Sequence, residues 1–379
     1  MTSAPAPDAI VVGAGIVGAA CAAALSATGM RVLVLEASIA GGGTTAAAMG
    51  HLVVMDDSPA QLALTRLGVS QWRDLTPGLP PNVEYEPRGT IWVAEDDAQL
   101  DALEAKRALY ASSGVAAGEL DAESLAREEP QLRRGLAGGL LVPGDAVLYP
   151  PTAVLCLLAN ARRARAVVRE RTPVAELIPN GVRLETGETI SSPVVINAAG
   201  ARAATLTPGL PIVPRKGHLA ITERYPRFVN HQLVELGYLA SAHGMSTESV
   251  AFNVQPRSTG QVLIGSSREL VGWDASSNRD ILRRMLERAQ RFMPRLGDVQ
   301  VIRTWTGFRP ATPDSLPLIG AWDETPGMWI AAGHEGLGIT TALATASIVA
   351  ACVTGTSSPI DPSPYLPARA MATHAGTAA

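Results

Sequence analysis

Residues 8–36 constrain this chain more than any other stretch. A short apolar run, Ile10-Val11-Val12, ends at Gly13, as a buried parallel strand does. Behind it Val17, Cys21, Ala24, Leu25 and Thr28 recur at helical spacing, and a second apolar run, 32–35, ends at Glu36. The pattern predicts strand, tight turn, helix, strand. Within Gly13-Ala14-Gly15-Ile16-Val17-Gly18, the first glycine permits the turn and the second lets a pyrophosphate approach the backbone. The third lets the helix pack closely on the strand, with its N-terminus facing the phosphates. Glu36 lies about 20 residues further on, where an acidic side chain accepts hydrogen bonds from an adenosine ribose. The whole context of a dinucleotide-binding turn is present, and by itself it admits NAD, NADP or FAD.

A chain of 379 residues suits two domains, or one large domain with an insertion. Net charge is −4, which gives no reason to expect nucleic-acid binding. The three cysteines, Cys21, Cys156 and Cys352, are isolated and histidines are few, so no metal site is expected and a reducing cytoplasm is. The apolar run 9–25 lacks the basic flank of a signal sequence. No other stretch has about 20 uninterrupted apolar residues, so no transmembrane segment is expected and membrane association would be peripheral, through partners.

Residues 37–45 contain Gly41-Gly42-Gly43-Thr44-Thr45, which suits either a phosphate-contacting loop or a plain surface loop. His51 follows among apolar residues, as a core histidine or an active-site one. A helix is expected over 58–75, with Ser58 as N-cap and Pro59 in the first turn. Strands are expected at 82–86 and 89–94, then a helix over 96–110. The run 193–200 ends in Asn197-Ala198-Ala199-Gly200, a central strand whose C-terminal end would open onto ligand. From 212 the texture becomes antiparallel, with strands at 218–222, 233–239, 249–255 and 261–266, then an amphipathic helix over 279–292 with Arg283, Arg284, Glu287, Arg288 and Arg291 on a solvated face. Residues 305–320 pack prolines and glycines around Arg309, and Gly333-His334-Glu335-Gly336-Leu337-Gly338-Ile339-Thr340 opens a second glycine-rich helix. A nicotinamide enzyme with one glycine motif has no need of that second dipole end. The Ser/Pro/Ala-rich tail from Thr356 is expected to be mobile.

These residues resemble the flavoprotein amine and D-amino-acid oxidoreductase superfamily, which includes glycine oxidase, monomeric sarcosine oxidase and D-amino-acid oxidases and dehydrogenases. The resemblance rests on the Gly13 motif with Glu36, Thr44-Thr45, residues 195–200, the Gly307-Phe308-Arg309-Pro310 stretch with 317–320, and residues 333–338. It implies an α/β fold: a Rossmann-like FAD domain, discontinuous over 1–80, 141–210 and 300–370, and a mixed-sheet substrate domain from 81–140 and 211–299, with 371–379 a mobile tail. It implies FAD, with the adenosine on Glu36, the pyrophosphate on Gly13 to Gly18 and Thr44, and the flavin by His51 and Gly336 to Thr340; Ala37, Gly43, Thr45, Val174, Ala198, Ala199, Gly200, Gly307, Arg309, Gly333, His334 and Glu335 are further expected cofactor contacts. Covalent-flavin relatives carry a cysteine just ahead of the Thr-Pro-Asp stretch where this chain has Thr306-Gly307-Phe308, so non-covalent FAD is expected.

Within the superfamily, residues 49–57 and 333–340 look most like the β subunits of D-hydroxyproline dehydrogenase, opine oxidase and hydrogen cyanide synthase complexes. That resemblance implies small iron–sulfur and FAD-containing partner subunits. Arg309 is the expected carboxylate clamp, since a guanidinium fork binds a carboxylate bidentately. His51, Asn253 and Tyr238 are candidate pocket residues, and His218 and Glu335 would sit near the flavin edge. The expected reaction is oxidation of a small D-amino acid or cyclic secondary amino acid, with electrons leaving to partner subunits or a quinone. An autonomous oxidase and a flavin-holding electron-transfer subunit are the alternatives.

Overall fold

The computed structural model describes residues 6–237 and 248–369. A six-stranded sheet runs in the order Leu318–Ala321, Met328–Ala332, Val194–Asn197, Ala9–Val12, Val32–Leu35, Val167–Arg169. Its pairings are parallel except for the first, which is antiparallel. Ala9–Val12 is buried at every position, as its uninterrupted apolar run requires. On one face lie the helices Ile16–Ala27, Pro150–Arg163 and Gly338–Thr354. On the other, Leu177, Val182 and Leu184 from a three-stranded meander pack on Ile10, Val12, Leu33 and Leu35.

The second sheet has eight strands, in the order Val301–Ala311, Val213–Arg224, Gln261–Glu269, Glu248–Pro256, Gln232–Glu235, Thr90–Ala94, Gly138–Val142, Gly118–Asp121. All neighbours are antiparallel except Gln232–Glu235 against Thr90–Ala94. The helix Arg279–Phe292 buries Ile281, Met285, Ala289 and Phe292 against one face, where Phe292 stacks on Phe252 at 4.4 Å between ring centres. Its polar face is not merely solvated: Arg288 pairs with Glu235, and Arg291 reaches Glu95 at 2.5 Å.

The helix Pro59–Leu75 starts as expected, with Ser58 Oγ accepting from the Gln61 amide at 3.1 Å. Several expectations need correction. Residues 82–86 form no strand: Pro81–Val83 is a 3₁₀ turn, as its prolines favour, and Glu86 makes only an isolated bridge to Val147. The strand at 233–239 ends at Glu235, and the remainder passes beyond Gly237 into residues outside those described. Residues 301–311 extend the second sheet as an edge strand and do not form a loop of the nucleotide side. Pro310 is tolerated there because only one side of an edge strand needs donors. The stretch after Thr356 is docked as far as Arg369: Tyr365 is 1% exposed and donates to Ala60 O at 2.7 Å, and Arg369 pairs with Asp314.

Among the described residues, one helix is long and apolar enough to cross a bilayer, Glu335–Thr354. Most of its apolar stretch is buried, and it packs against Ile16–Ala27 and Pro59–Leu75, as a core helix of a folded protein does. The docked tail gives a measurable stability term. Tyr365→Ala is expected to cost about 3–5 kcal/mol through the cavity it leaves, and Tyr365→Phe about 1 kcal/mol through the lost hydrogen bond. Denaturant unfolding midpoints check both; a wild-type midpoint in Tyr365→Ala would refute the docking.

Candidate active site

The site forms where the C-terminal ends of the central strands meet the eight-stranded sheet. In-register pairing sets Val12 beside Asn197, so the turn at Gly13 and the segment after Asn197 emerge side by side. A Cβ on Gly13, whose φ is +104°, would lie 2.6 Å from Ala198 O, and one on Gly18 would lie 2.0 Å from Gly13 O. Only glycine permits this closeness, and it brings the start of Ile16–Ala27 onto the strand ends. The Ile16 amide donates to Thr45 Oγ1 at 3.1 Å. Glu36 accepts from the Ala14 and Ser38 amides at 2.7 and 2.8 Å. A carboxylate has about four acceptor positions, so two such bonds orient it and leave it able to receive a ribose hydroxyl.

A cavity of about 150 Å³ runs from this turn to the second sheet. Of the residues expected at the cofactor, Gly15, Ile16, Val17, Thr44, Thr45, His51, Ala198, Gly200, Gly307, Arg309, His334, Glu335, Gly336, Gly338 and Ile339 line it, as does Asn253. Gly13, Gly18, Glu36, Ala37, Gly43, Val174, Ala199, Gly333 and Thr340 do not. Val174 sits in the meander, and Thr340 bridges the His51 carbonyl and the Val53 amide. Leu337 lines an adjoining chamber. The Thr44 hydroxyl donates to Phe308 O at 2.6 Å and so ties the glycine loop to the edge strand. Tyr238 lies outside the described residues. Sequence reasoning missed Gly217, Leu219 and Ser266 on the cavity wall and Thr90, Trp92, Gln232 and Arg268 in the chamber behind. They lie on ordinary-looking strands, and no local signal distinguishes them.

Arg309 is placed by two opposed strands. Gly217 pairs in register with Gly307, and a Cβ on Gly217 would lie 2.3 Å from Arg309 Nη1, so that glycine makes room for the guanidinium. Arg309 Nη1 donates to Ser267 O at 2.9 Å, which sets the fork's orientation. Glu335 pairs with both Arg215 and Arg268, each at 3.4 Å. Burial, helped by the Arg309 charge, pushes the His51 imidazole down to about 3, and burial alone does the same for His334, whose Nε2 meets Thr345 Oγ1 at 2.9 Å. Both rings are neutral at pH 7. His218 is also lowered, first by burial. It is enclosed by Ser267, Glu269 and the Asn278 amide and lines neither cavity.

Two glycine-rich helix starts aimed at one elongated cleft, with an acidic residue ending the second strand, define a flavin-adenine-dinucleotide oxidoreductase. The comparisons agree. Residues 8–352 match the family model described as DAO, FAD dependent oxidoreductase. The chain is 29% identical to the hydrogen cyanide synthase subunit HcnC of Pseudomonas aeruginosa, over 96% of each chain. It is 28% identical to the glycine oxidase of the same organism, over 95% of this chain and 98% of that one. The crystal structure of glycine oxidase from Geobacillus kaustophilus superposes with a TM-score of 0.86 at 24% identity, covering 95% of this chain and 98% of the other. The protein belongs to the DAO family of FAD-dependent oxidoreductases. Its cofactor is FAD, held non-covalently; Cys21, Cys156 and Cys352 all lie outside the cavity lining.

The lowered histidines set a pH dependence. Each has a folded-state value near 3 against about 6.5 unfolded. Between these values the unfolded chain binds the extra proton, so this contribution is complete above about 6.5 and is lost as pH falls. Asp145, pushed up to about 7 by burial, acts in the opposite sense, so a mutant difference isolates the effect. His334→Gln should reduce the slope of unfolding free energy between pH 6 and 4 by about 1.4 kcal/mol per unit. Denaturant titrations across that range check it, and an unchanged slope would contradict the assignment.

Proposed function

We propose that the protein oxidises a small D-amino acid or cyclic secondary amino acid, such as a D-hydroxyproline, to the imino acid, and passes the electrons to partner subunits or a quinone. Arg309 carries this reading: a guanidinium held in a defined orientation on the wall of the cavity that the glycine-rich helix starts open onto. Bound FAD supplies the hydride-accepting chemistry at its N5 atom. The chain's contribution is positioning. Arg309 holds the substrate carboxylate as a bidentate anchor, which fixes the direction in which Cα points. Apolar and small residues, among them Ala47, Met49, Leu219 and Ile339, exclude water around it. His51 is too weak a base to deprotonate an ammonium group, so the amine binds neutral, having lost its proton to solvent; departure of the Cα hydride leaves the iminium, which gives up a proton to solvent to become the imine.

The similarity to a hydrogen cyanide synthase subunit supports exit of electrons through partner chains. The equal coverage of glycine oxidases supports a second reading, in which O₂ takes them directly. Arg309 and its cavity speak against a purely electron-carrying subunit.

Anaerobic mixing of the flavin-loaded protein with D-amino and cyclic imino acids should bleach the flavin, with slow recovery in air. Fast recovery would establish the oxidase, and absence of bleaching by every compound would defeat the catalytic reading. Arg309→Ala should lower kcat/KM about a hundredfold or more, the low end for two charge-assisted hydrogen bonds, with flavin content largely retained. Wild-type kinetics in that variant would remove Arg309 from the substrate site.

A further inference from the structure

Past His51 and Asn253 the main cavity continues into a chamber of about 50 Å³; His334, Glu335 and Gly336 line both spaces. The chamber is walled by one face of the eight-stranded sheet. Gln232 pairs in register with Thr90, Val234 with Trp92, and Asn253 with Val234, so these side chains form adjacent rows on that face. The buried Lys106 ammonium lies 4.0 Å from the Trp92 ring centre, and Lys106 is itself paired with Asp56.

The lining is polar, buried and incompletely bonded. Gln232, Asn253 and Trp92 are all more than nine-tenths buried. Gln232 Oε1, Asn253 Oδ1, Trp92 Nε1 and His51 Nε2 find no hydrogen-bond partner among the described residues. Each such atom costs about 1–3 kcal/mol unless something completes it, and folded proteins seldom gather four in one place. Asp57, Arg268 and Glu335 also stand at the wall, each engaged with other groups, Arg268 with Glu335 among them. The atoms left without a partner are uncharged, acceptors at Gln232 Oε1 and Asn253 Oδ1 and a donor at Trp92 Nε1, so an uncharged ligand group that both donates and accepts is their complement. By volume the chamber has room for about three water-sized groups, which suits a short substituent and not a long side chain.

We propose that this chamber is a specificity pocket for a hydroxyl group carried by the substrate, read by Gln232 and Trp92. The hydroxyl donates to Gln232 Oε1 and accepts from Trp92 Nε1–H, while the substrate carboxylate lies on Arg309. The preferred substrates are thus hydroxylated amino or imino acids over their deoxy counterparts. This rests on the amino-acid reading above and adds a selection that reading does not require. A site built to hydrogen-bond a hydroxyl discriminates against the analogue lacking it, because its own buried polar groups are then left unpaired.

The test uses the flavin-loaded full chain, an artificial electron acceptor and two matched pairs, 4-hydroxy-D-proline against D-proline and D-serine against D-alanine, with iminodiacetate as a doubly charged probe. The wild type should favour the hydroxylated member of at least one pair by tenfold or more in kcat/KM. Gln232→Met and Trp92→Phe should each lower that ratio about fivefold to tenfold; flavin content and unfolding midpoint show that each variant is folded, and either folded variant suffices. A wild-type ratio near one in both pairs, a ratio unmoved in the folded variants, or a preference for iminodiacetate overturns the pocket assignment and leaves amino-acid oxidation standing. If no member of either pair reduces the flavin, the amino-acid reading falls and this inference falls with it.

Discussion

The contact on which the architecture depends is the one at Gly18, where a side chain would lie 2.0 Å from the carbonyl oxygen of Gly13. That clearance seats the helix Ile16–Ala27 against the end of Ala9–Val12, and the positive end of the helix dipole then faces the cleft. The helices Gly338–Thr354 and Pro150–Arg163 pack on this one, so the position of the second glycine-rich helix start is set indirectly by the first. Ordering dinucleotide phosphates costs little when the donors are already fixed in place.

The Arg309 wall of the cleft depends on a different contact, the opposed glycines Gly217 and Gly307. They thin the edge of the eight-stranded sheet where it faces the nucleotide side. One accommodates the Arg309 guanidinium and the other Ala47, whose Cβ would lie 2.5 Å from a Cβ at Gly307. Thr44 ties the glycine loop to the edge of the eight-stranded sheet by donating to Phe308 O, and Thr340, on the second glycine-rich helix, donates to the His51 carbonyl. The cleft is therefore built from segments almost 300 residues apart, 289 in the case of Thr340 and His51.

Legibility followed the range of the forces involved. Gly13, Gly15, Gly18 and Glu36 were readable because turn, helix start and acidic residue are neighbours in sequence and obey local geometry. Arg309 was readable as a residue but not as part of a strand: its prolines and glycines suggest a loop, and only pairing with Val213–Arg224 shows an edge that tolerates them. The tail was misread because Ser, Pro and Ala look mobile, while the burial of Tyr365 against Ala60 is a long-range contact. Gln232 and Trp92 were not legible at all. Each lies on a short strand like many others, and only the parallel pairing of those strands sets them on one face of the sheet.

By itself the sequence determined the nucleotide turn, the α/β class, the second glycine-rich helix start and, through family resemblance, FAD. Each of these is written in residues adjacent along the chain. The tertiary structure decided which polar groups became buried, which histidines stayed neutral, and where Arg309, Asn253 and Gln232 stand relative to the cleft. Burial and cross-sheet placement are properties of the packed whole, since desolvation and side-chain juxtaposition do not exist until distant strands have closed on one another.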